Sequence, residues 1–274
     1  MTERDESYEL LAARVGDLLR RAESGAVAVL PFLNPRDVRR AERALREYGA
    51  YGQAWFWGGY PGAERACLFF LPEYLLACLP NGCVTAEDTS SLLDLLTDEI
   101  AASTAAVRIV GSGYRTLSHR DYLGSVLGLG LERDALGDIA VQNEHEAVVF
   151  CSKRIADFLT VHLEKVASDT VHCLPYTVDA FFTDGRKYRP IRDTVASQRL
   201  DCVIASLTNL SRDDAQRAIR TGLVEVDFEP EERVDCHVTP PATLSVRGYG
   251  RYILRAFDGE TRKGRLRLIA DQLI

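Results

Sequence analysis

The sequence predicts an α+β protein in three parts: a small N-terminal α/β unit, a plait of strands and helices in the middle, and two helices followed by a small sheet at the C-terminal end. Apolar residues recur at helical spacing in some segments and alternate along others. The 274 residues are 46% apolar and 27% charged, which excludes a chain that is mainly disordered. We expect the domains to be 1–81, 82–190 and 191–274.

The first part begins with a helix and continues with three short strands and a second helix. Leu11 and Val15 repeat at helical spacing, which predicts an amphipathic helix that ends near residue 23. Asn34 followed by Pro35 is typical of a helix N-cap with proline at the first helical position. The predicted elements after the first helix are a strand at 26–30, a helix from 35 to about 48, and strands at 55–57 and 66–71.

The middle part reads, from residue 107 onward, as strand, helix, strand, strand, helix, strand. This βαββαβ order is typical of a ferredoxin-like (RRM-like) plait, which many RNA-binding modules share and which many proteins that bind no RNA also use. The strands at 139–141 and 147–151 lack the aromatic pair that stacks bases in common RNA-reading plaits, so contact with RNA shape or backbone is the expected mode. The predicted elements are a helix at 91–102, strands at 107–110, 139–141, 147–151 and 170–174, and helices at 120–129 and 155–166.

The last part predicts two helices and a sheet. Leu200, Val203 and Ile204 lie on one face of the first helix. Ser211, followed three residues later by Asp214, is typical of a capping box that begins the second helix. Strands are predicted from residue 224 and at 243–246, 252–257 and 265–269, with Asp258-Gly259 as a hairpin turn.

The charge is unevenly distributed along the chain. The net charge is −7, but the segments 1–100, 101–196 and 197–274 carry −6, −1 and 0. Within the last segment, residues 247–267 carry a local charge of +5. Because a local patch rather than the total charge determines where a polyanion docks, the C-terminal part is the candidate for contact with nucleic acid.

Several classes of protein are disfavoured. The seven cysteines are never spaced as C-x-x-C, so neither a disulfide framework nor a zinc site is indicated. The N-terminal residues lack the pattern of an export signal, and no apolar run is long enough to span a membrane, so we expect a cytoplasmic protein. Dinucleotide, P-loop, serine-elbow and H-E-x-x-H motifs are missing, so we expect no cofactor, no metal and no catalysis.

The second helix of the last part carries a basic stripe. At 100° per residue, Arg212, Arg217 and Arg220 fall within about 140° of one another and away from the apolar side. Guanidinium groups on one helix face can donate paired hydrogen bonds to successive phosphates. The alternative is a solvated helix face.

The order of residues in this part resembles the S4 domain, an RNA-binding module. The resemblance rests on Arg199-Leu200-Asp201, Leu210-Ser211-Arg212, Ile219-Arg220, Gly222 and Val224-x-Val226. It implies that Arg199, Arg212 and Arg220 face an RNA backbone with Arg217 beside them. Glu225 and Asp227 depart from the S4 pattern and, with the acidic residues that follow them, predict some repulsion of phosphate.

Motifs in all three parts resemble the YlmH family of bacterial S4-domain proteins. These motifs are Gly58-Gly59-Tyr60-Pro61-Gly62-Ala63-Glu64-Arg65, Leu117-Ser118-His119-Arg120-Asp121-Tyr122-Leu123-Gly124, Gly137-Asp138-Ile139, Val246-Arg247-Gly248-Tyr249-Gly250-Arg251 and Lys263-Gly264-Arg265. The resemblance implies a ribosome-associated factor without catalysis. Its expected partners are ribosomal RNA of the large subunit, tRNA, and ribosomal proteins or quality-control factors, with no membrane.

His119 and Arg120 have two interpretations. Ser118 and Asp121 form a predicted capping box, which makes the His119-Arg120-Asp121 triplet scaffolding. Cationic donors beside a helix N-terminus could instead bind phosphate. The full set of predicted RNA-binding residues is Arg199, Ser211, Arg212, Arg217, Arg220, Arg247, Arg251, Lys263, Arg265, His119 and Arg120.

The sequence is also compatible with two other functions. S4 modules also occur beside pseudouridine synthase and methyltransferase domains, so an RNA-modifying role is one alternative. A cell-division accessory scaffold is the other, and it predicts protein partners that survive loss of the arginine stripe.

Overall fold

A computed structural model describes residues 3–179 and 182–274 and confirms the predicted α+β class. The chain divides into two compact units, Met1–Gly185 and Arg186–Ile274. The first contains helices and two antiparallel sheets, and the second contains helices and one antiparallel sheet. In the described part of the chain, no helix has the length and apolar character needed to cross a membrane.

The first half of Met1–Gly185 is a three-stranded antiparallel sheet with two helices on one face. The strand order is β1-β3-β2. The Asn34 side chain accepts a hydrogen bond from the Asp37 backbone N–H, which confirms the predicted cap. An apolar cluster that includes Val15, Leu45 and Phe70 fills the space between helices and sheet. The elements are α1 Glu3–Glu23, β1 Ala28–Leu33, α2 Pro35–Glu47, β2 Ala54–Trp57, β3 Ala66–Phe70 and α3 Glu73–Leu76.

The second half of this unit is a five-stranded antiparallel sheet, with two helices packed on one face. The predicted helix at 91–102 is divided in two at Leu96, a fully buried residue. The elements are α4 Thr89–Leu95, α5 Thr97–Ser103, β4 Ala105–Gly111, α6 His119–Gly128, β5 Leu136–Asn143, β6 Glu146–Cys151, α7 Lys153–His162, β7 Lys165–Val166 and β8 Asp169–Tyr176. The strand order is β5-β6-β4-β8-β7.

The two sheets share a core. The face of the five-stranded sheet opposite α6 and α7 contributes Val148 and Phe150 to an apolar cluster with Phe32, Trp57 and Phe69 from the first half. The predicted boundary at residue 81 therefore falls inside one compact unit, because side chains from both sides of it pack together.

Two of the sequence motifs bind each other at this junction. The Asp138 carboxylate accepts hydrogen bonds from Tyr60 Oη at 2.6 Å, Glu64 N at 2.8 Å and Arg65 N at 3.1 Å. The buried Arg65 Nε donates to the carbonyl oxygen of Leu136 at 2.7 Å. The motif at 58–65 and the motif at 137–139 thus act as a clamp between the two sheets.

Arg186–Ile274 is a six-stranded antiparallel sheet with two helices on one face. The elements are β9 Tyr188–Val195, α8 Leu200–Thr208, α9 Arg212–Arg220, β10 Val224–Val226, β11 Glu229–Pro230, β12 Ala242–Val246, β13 Gly250–Glu260 and β14 Leu266–Leu273. The strand order is β11-β10-β12-β13-β14-β9. The sequence does not predict strand β9. This strand pairs with β14 along the whole length of β14.

The predicted hairpin turn at Asp258-Gly259 is wrong. Both residues lie within β13, where the register shifts between Phe257 and Glu260. Gly259 has a φ of 67°, so glycine absorbs this bulge at little steric cost. The chain turns instead after Glu260, where Thr261 N donates to the carbonyl oxygen of Arg265 at 2.8 Å.

Candidate nucleic-acid interface

A buried carboxylate connects α8 and α9. Asp201 is fully buried and accepts four hydrogen bonds through its side chain. Arg199 donates through Nε and Nη2 at 3.1 and 3.2 Å, which is a bidentate pair. From α9, Arg212 Nε donates at 3.1 Å and Gln216 Nε2 at 2.8 Å. Asp201 therefore fixes the orientation of two predicted RNA-binding arginines.

These bonds also determine the charges. Burial alone would raise the pKa of Asp201, but the hydrogen bonds from Arg199, Gln216 and Arg212 more than offset this effect and hold the pKa well below its usual range. The bond to Asp201 raises the pKa of Arg199. Two cations thus surround one anion, which leaves a net positive charge. The Arg199 and Arg212 side chains remain 34% and 54% exposed, so both guanidinium groups can reach a ligand.

The rest of the predicted stripe is less uniform. Arg217 forms an ion pair with Asp214, which reduces its contribution. The Ser211 hydroxyl accepts from Asp214 N at 3.1 Å and donates to Asp214 Oδ2 at 2.7 Å, so this side chain caps the helix. Arg220 is exposed, and no ion pair to it is found among the described residues. Of these three residues, Arg220 is therefore the one available for phosphate.

A groove of about 320 Å³ lies at the end of α9. Helix α9 is followed by Gly222, which has a φ of 69°, and the carbonyl oxygen of Leu223 accepts from Arg247 N at 2.9 Å. Arg247 and Arg251 line this groove together with Glu225. The structure thus brings the predicted residues Arg247 and Arg251 to the end of the helix that carries Arg220.

Lys263 and Arg265 lie elsewhere. They belong to the turn after Glu260, ten residues along β13 from Gly250, which corresponds to roughly 30 Å at the usual rise of a strand. Arg265 Nε donates to Thr194 Oγ1 at 3.0 Å. Lys263 and Arg265 are therefore not part of the groove that Arg247 and Arg251 line.

The acidic residues after β10 are partly neutralised. Glu231 accepts hydrogen bonds from the Nε and Nη2 atoms of Arg233 at 3.1 and 2.9 Å, and these bonds lower the pKa of Glu231 to about 2. Asp227 Oδ1 accepts from Thr243 N at 2.9 Å and so joins the turn to β12. Part of the expected repulsion of phosphate is thus cancelled by local pairing.

His119 and Arg120 lie in the other compact unit. Ser118 and Asp121 form the predicted capping box at the start of α6, with Ser118 N donating to Asp121 Oδ2 at 2.8 Å. His119 and Arg120 are exposed on the first turn of that helix. On the sheet beside it, the face opposite the helices is covered by the core that it shares with the three-stranded sheet, since Val148 and Phe150 are buried there. Base stacking on these central positions is therefore blocked.

Sequence reasoning missed the residues that organise the interface. The S4-like pattern indicates Asp201 only as part of a motif, although an aspartate on the apolar side of a helix signals a buried partner for arginine. Gln216 gave no signal. In the described ranges 3–179 and 182–274, no group of three or more His, Cys, Asp or Glu residues is placed to hold a metal ion.

Comparisons with known proteins place the chain in a family. Residues 107–179 match a family model described as "Putative RNA-binding domain in YlmH". The "Ribosome-associated protein quality control protein P2" of Bacillus subtilis (strain 168) is 30% identical over 237 residues, which are 86% of this chain and 84% of that protein. The solved "Cell division protein ylmH from Streptococcus pneumoniae" aligns with a TM-score of 0.45 at 17% identity, covering 64% of this chain and 93% of that one. On the family model and the bacillary relative, the chain belongs to the YlmH family.

Proposed function

We propose that this chain is a non-catalytic RNA-binding protein that associates with the large ribosomal subunit and with peptidyl-tRNA in the quality control of stalled translation. Its site of action is the cytoplasm, and ribosomal proteins or quality-control factors act beside it. The name of the bacillary relative and the family match of residues 107–179 support this choice.

The observation that carries the proposal is the arrangement around Asp201. One buried carboxylate holds Arg199, the residue just before α8, and Arg212, the first residue of α9, in fixed orientations. Pre-oriented guanidinium groups lose less side-chain entropy when they bind a phosphate, and they donate bidentate hydrogen bonds to it. Arg220 and Arg247 extend the cationic surface, which we call the helix face: Arg199, Arg212, Arg220 and Arg247.

The folds of the two regions support the same proposal. The helices α8 and α9 followed by β10 match the order expected for an S4-like module. The strand order β5-β6-β4-β8, with helices after β4 and β6, is the order expected for a ferredoxin-like plait. Because the central face of that plait is closed, we assign the main RNA contact to the S4-like module.

Charge reversal on the helix face tests the proposal. Arg220 and Arg247 are suitable because both are exposed and because, unlike Arg212, neither forms an ion pair with another residue in the ranges 3–179 and 182–274. We expect Arg220→Glu combined with Arg247→Glu to weaken co-sedimentation with large ribosomal subunits strongly. The matched control is Arg14→Glu with Arg21→Glu, which makes the same change of charge on the exposed side of α1 and should sediment as the unaltered protein does.

Three outcomes would contradict the proposal. Unchanged sedimentation of the Arg220/Arg247 variant would show that the helix face does not bind the subunit. If the binding constant of the unaltered protein for the large subunit did not change between about 50 and 200 mM salt, few phosphates would be contacted. Partners that persist after nuclease treatment in the Arg220/Arg247 variant would indicate a protein-directed scaffold instead.

A further inference from the structure

The six-stranded sheet has a second face, which points away from α8 and α9. Side chains alternate between the faces of a strand, and directly paired residues of antiparallel strands lie on the same face. Tyr252 and Leu254 on β13 are buried in the cluster that α8 and α9 cover. Arg251 and Ile253, which alternate with them, therefore lie on the opposite face, which we call the outer face.

Strand pairing extends this assignment across β14 and β9. Ile253 pairs with Asp271, Ile269 with Arg192, and Arg267 with Thr194. Two side-chain contacts agree with this assignment: Arg255 Nε donates to Asp271 Oδ2 at 2.7 Å, and Arg265 Nε donates to Thr194 Oγ1 at 3.0 Å. The arginines of the outer face are Arg192, Arg251, Arg255, Arg265 and Arg267.

The outer face is cationic, although the protein as a whole is acidic. Five arginines lie there with three carboxylates, Asp271, Glu225 and Asp258, which gives a net charge of +2. Asp271 is paired with Arg255. Arg192 and Arg267 are exposed, and no ion pair to either is found in the part of the chain that the structure describes.

Between the arginines, the outer face offers apolar surface. Ile253 and Ile269 are half-buried and belong to none of the apolar cores of the described residues. Tyr188 is 38% exposed, and the Arg255 guanidinium lies 5.9 Å from the centroid of its ring. Exposed arginines around a tyrosine and small apolar patches are suited to the phosphates and sugars of a nucleic acid.

We propose that the outer face binds the ribose–phosphate backbone of a second RNA segment, so that the C-terminal unit contacts two RNA segments on opposite sides of one sheet. The choice of RNA over another polyanion rests on the function proposed above. Arg251 and Arg255 lie about 13 Å apart along β13, and β13 to β9 spans about 10 Å. A nucleic acid presents several phosphates over this distance.

Bridging of two RNA molecules by the full-length protein tests this inference. One hairpin RNA is immobilised, the protein is bound, and retention of a second, fluorescent hairpin is measured. We expect the unaltered protein to retain the second RNA. The variant Arg192→Glu with Arg267→Glu should still bind the first RNA but should retain at least tenfold less of the second. For the same variant in solution, the logarithm of the RNA-binding constant should depend less steeply on the logarithm of the salt concentration, with a slope smaller in magnitude by roughly 1.5 to 2.

The variants separate this inference from the function on which it rests. Arg192→Lys with Arg267→Lys keeps the charge and should bridge, and Arg14→Glu with Arg21→Glu should bridge as the unaltered protein does. Suppose that the Arg192/Arg267 charge-reversal variant bridges the two RNAs normally while the Arg220/Arg247 charge-reversal variant no longer binds RNA. The proposed RNA site on the outer face is then overturned, and the proposed site on the helix face stands. If both charge reversals bind RNA normally, both proposals are overturned. If circular dichroism shows that the Arg192/Arg267 charge-reversal variant is unfolded, the bridging assay is made with Arg192→Gln and Arg267→Gln instead. The same outcomes then decide for or against the outer face.

Discussion

At the scale of single residues, the interface depends on one buried acid. A buried carboxylate without partners would be costly, but Asp201 accepts four hydrogen bonds from Arg199, Arg212 and Gln216. The same bonds hold two arginines in place for a phosphate. Asp201 therefore contributes both to the stability of the fold and to phosphate binding, and a substitution at this residue should affect both.

We expect Asp201→Asn to destabilise the C-terminal unit by about 2 to 4 kcal/mol, because it leaves two guanidinium groups beside a neutral amide. The effect should depend on pH. Since the pKa of Asp201 is lowered in the folded state, its stabilisation is present above the unfolded pKa and is lost as the pH falls below about 4. Urea unfolding at several pH values measures this difference.

The control for this experiment is Asp213→Asn, the same substitution at an exposed residue of α9. We expect a change within about 0.5 kcal/mol there. If Asp201→Asn and Asp213→Asn had equal effects, or if the gap between Asp201→Asn and the unaltered protein stayed constant down to pH 3, the bonds around Asp201 would not stabilise the fold.

At the scale of elements, the sequence predicts most helices and strands because their patterns are local. Asn34, Ser118 and Ser211 mark helix starts that the structure confirms. Strand β9 could not be predicted, since an edge strand with Pro190 shows no alternation of apolar residues and gains its structure from β14. The stripe on α9 followed from periodicity, whereas its link to Asp201 depends on how α8 and α9 pack.

The clamp between the two sheets of Met1–Gly185 is a second feature at this scale. We expect Asp138→Asn to destabilise that unit by about 1 to 3 kcal/mol, because an amide has one oxygen for the three donors that Asp138 now satisfies. Chemical unfolding measures the loss. The matched control is Asp94→Asn, the same substitution at an exposed residue of α4. If the two variants had similar denaturant midpoints of unfolding, the hydrogen bonds of Asp138 would not stabilise the junction of the two sheets.

At the scale of the whole molecule, the organisation differs from three independent domains. The core that includes Phe32 and Phe69 is completed by Val148 and Phe150 from the five-stranded sheet. By contrast, the core of Arg186–Ile274 is made of its own residues. Folding should therefore proceed in two cooperative units, since each unit needs all the side chains that close its core.

Three fragments test this organisation. We expect fragments 1–185 and 186–274 each to unfold in one cooperative transition, and fragment 1–81 to show none, because one face of its sheet, with Trp57 and Phe69, would be exposed to water. Thermal unfolding followed by circular dichroism, with amide proton dispersion in NMR spectra, measures each case. Fragment 186–274 should also bind RNA, since both arginine faces lie within it. A cooperative transition in fragment 1–81 would mean that the buried junction adds little, and that the first 81 residues form a domain of their own.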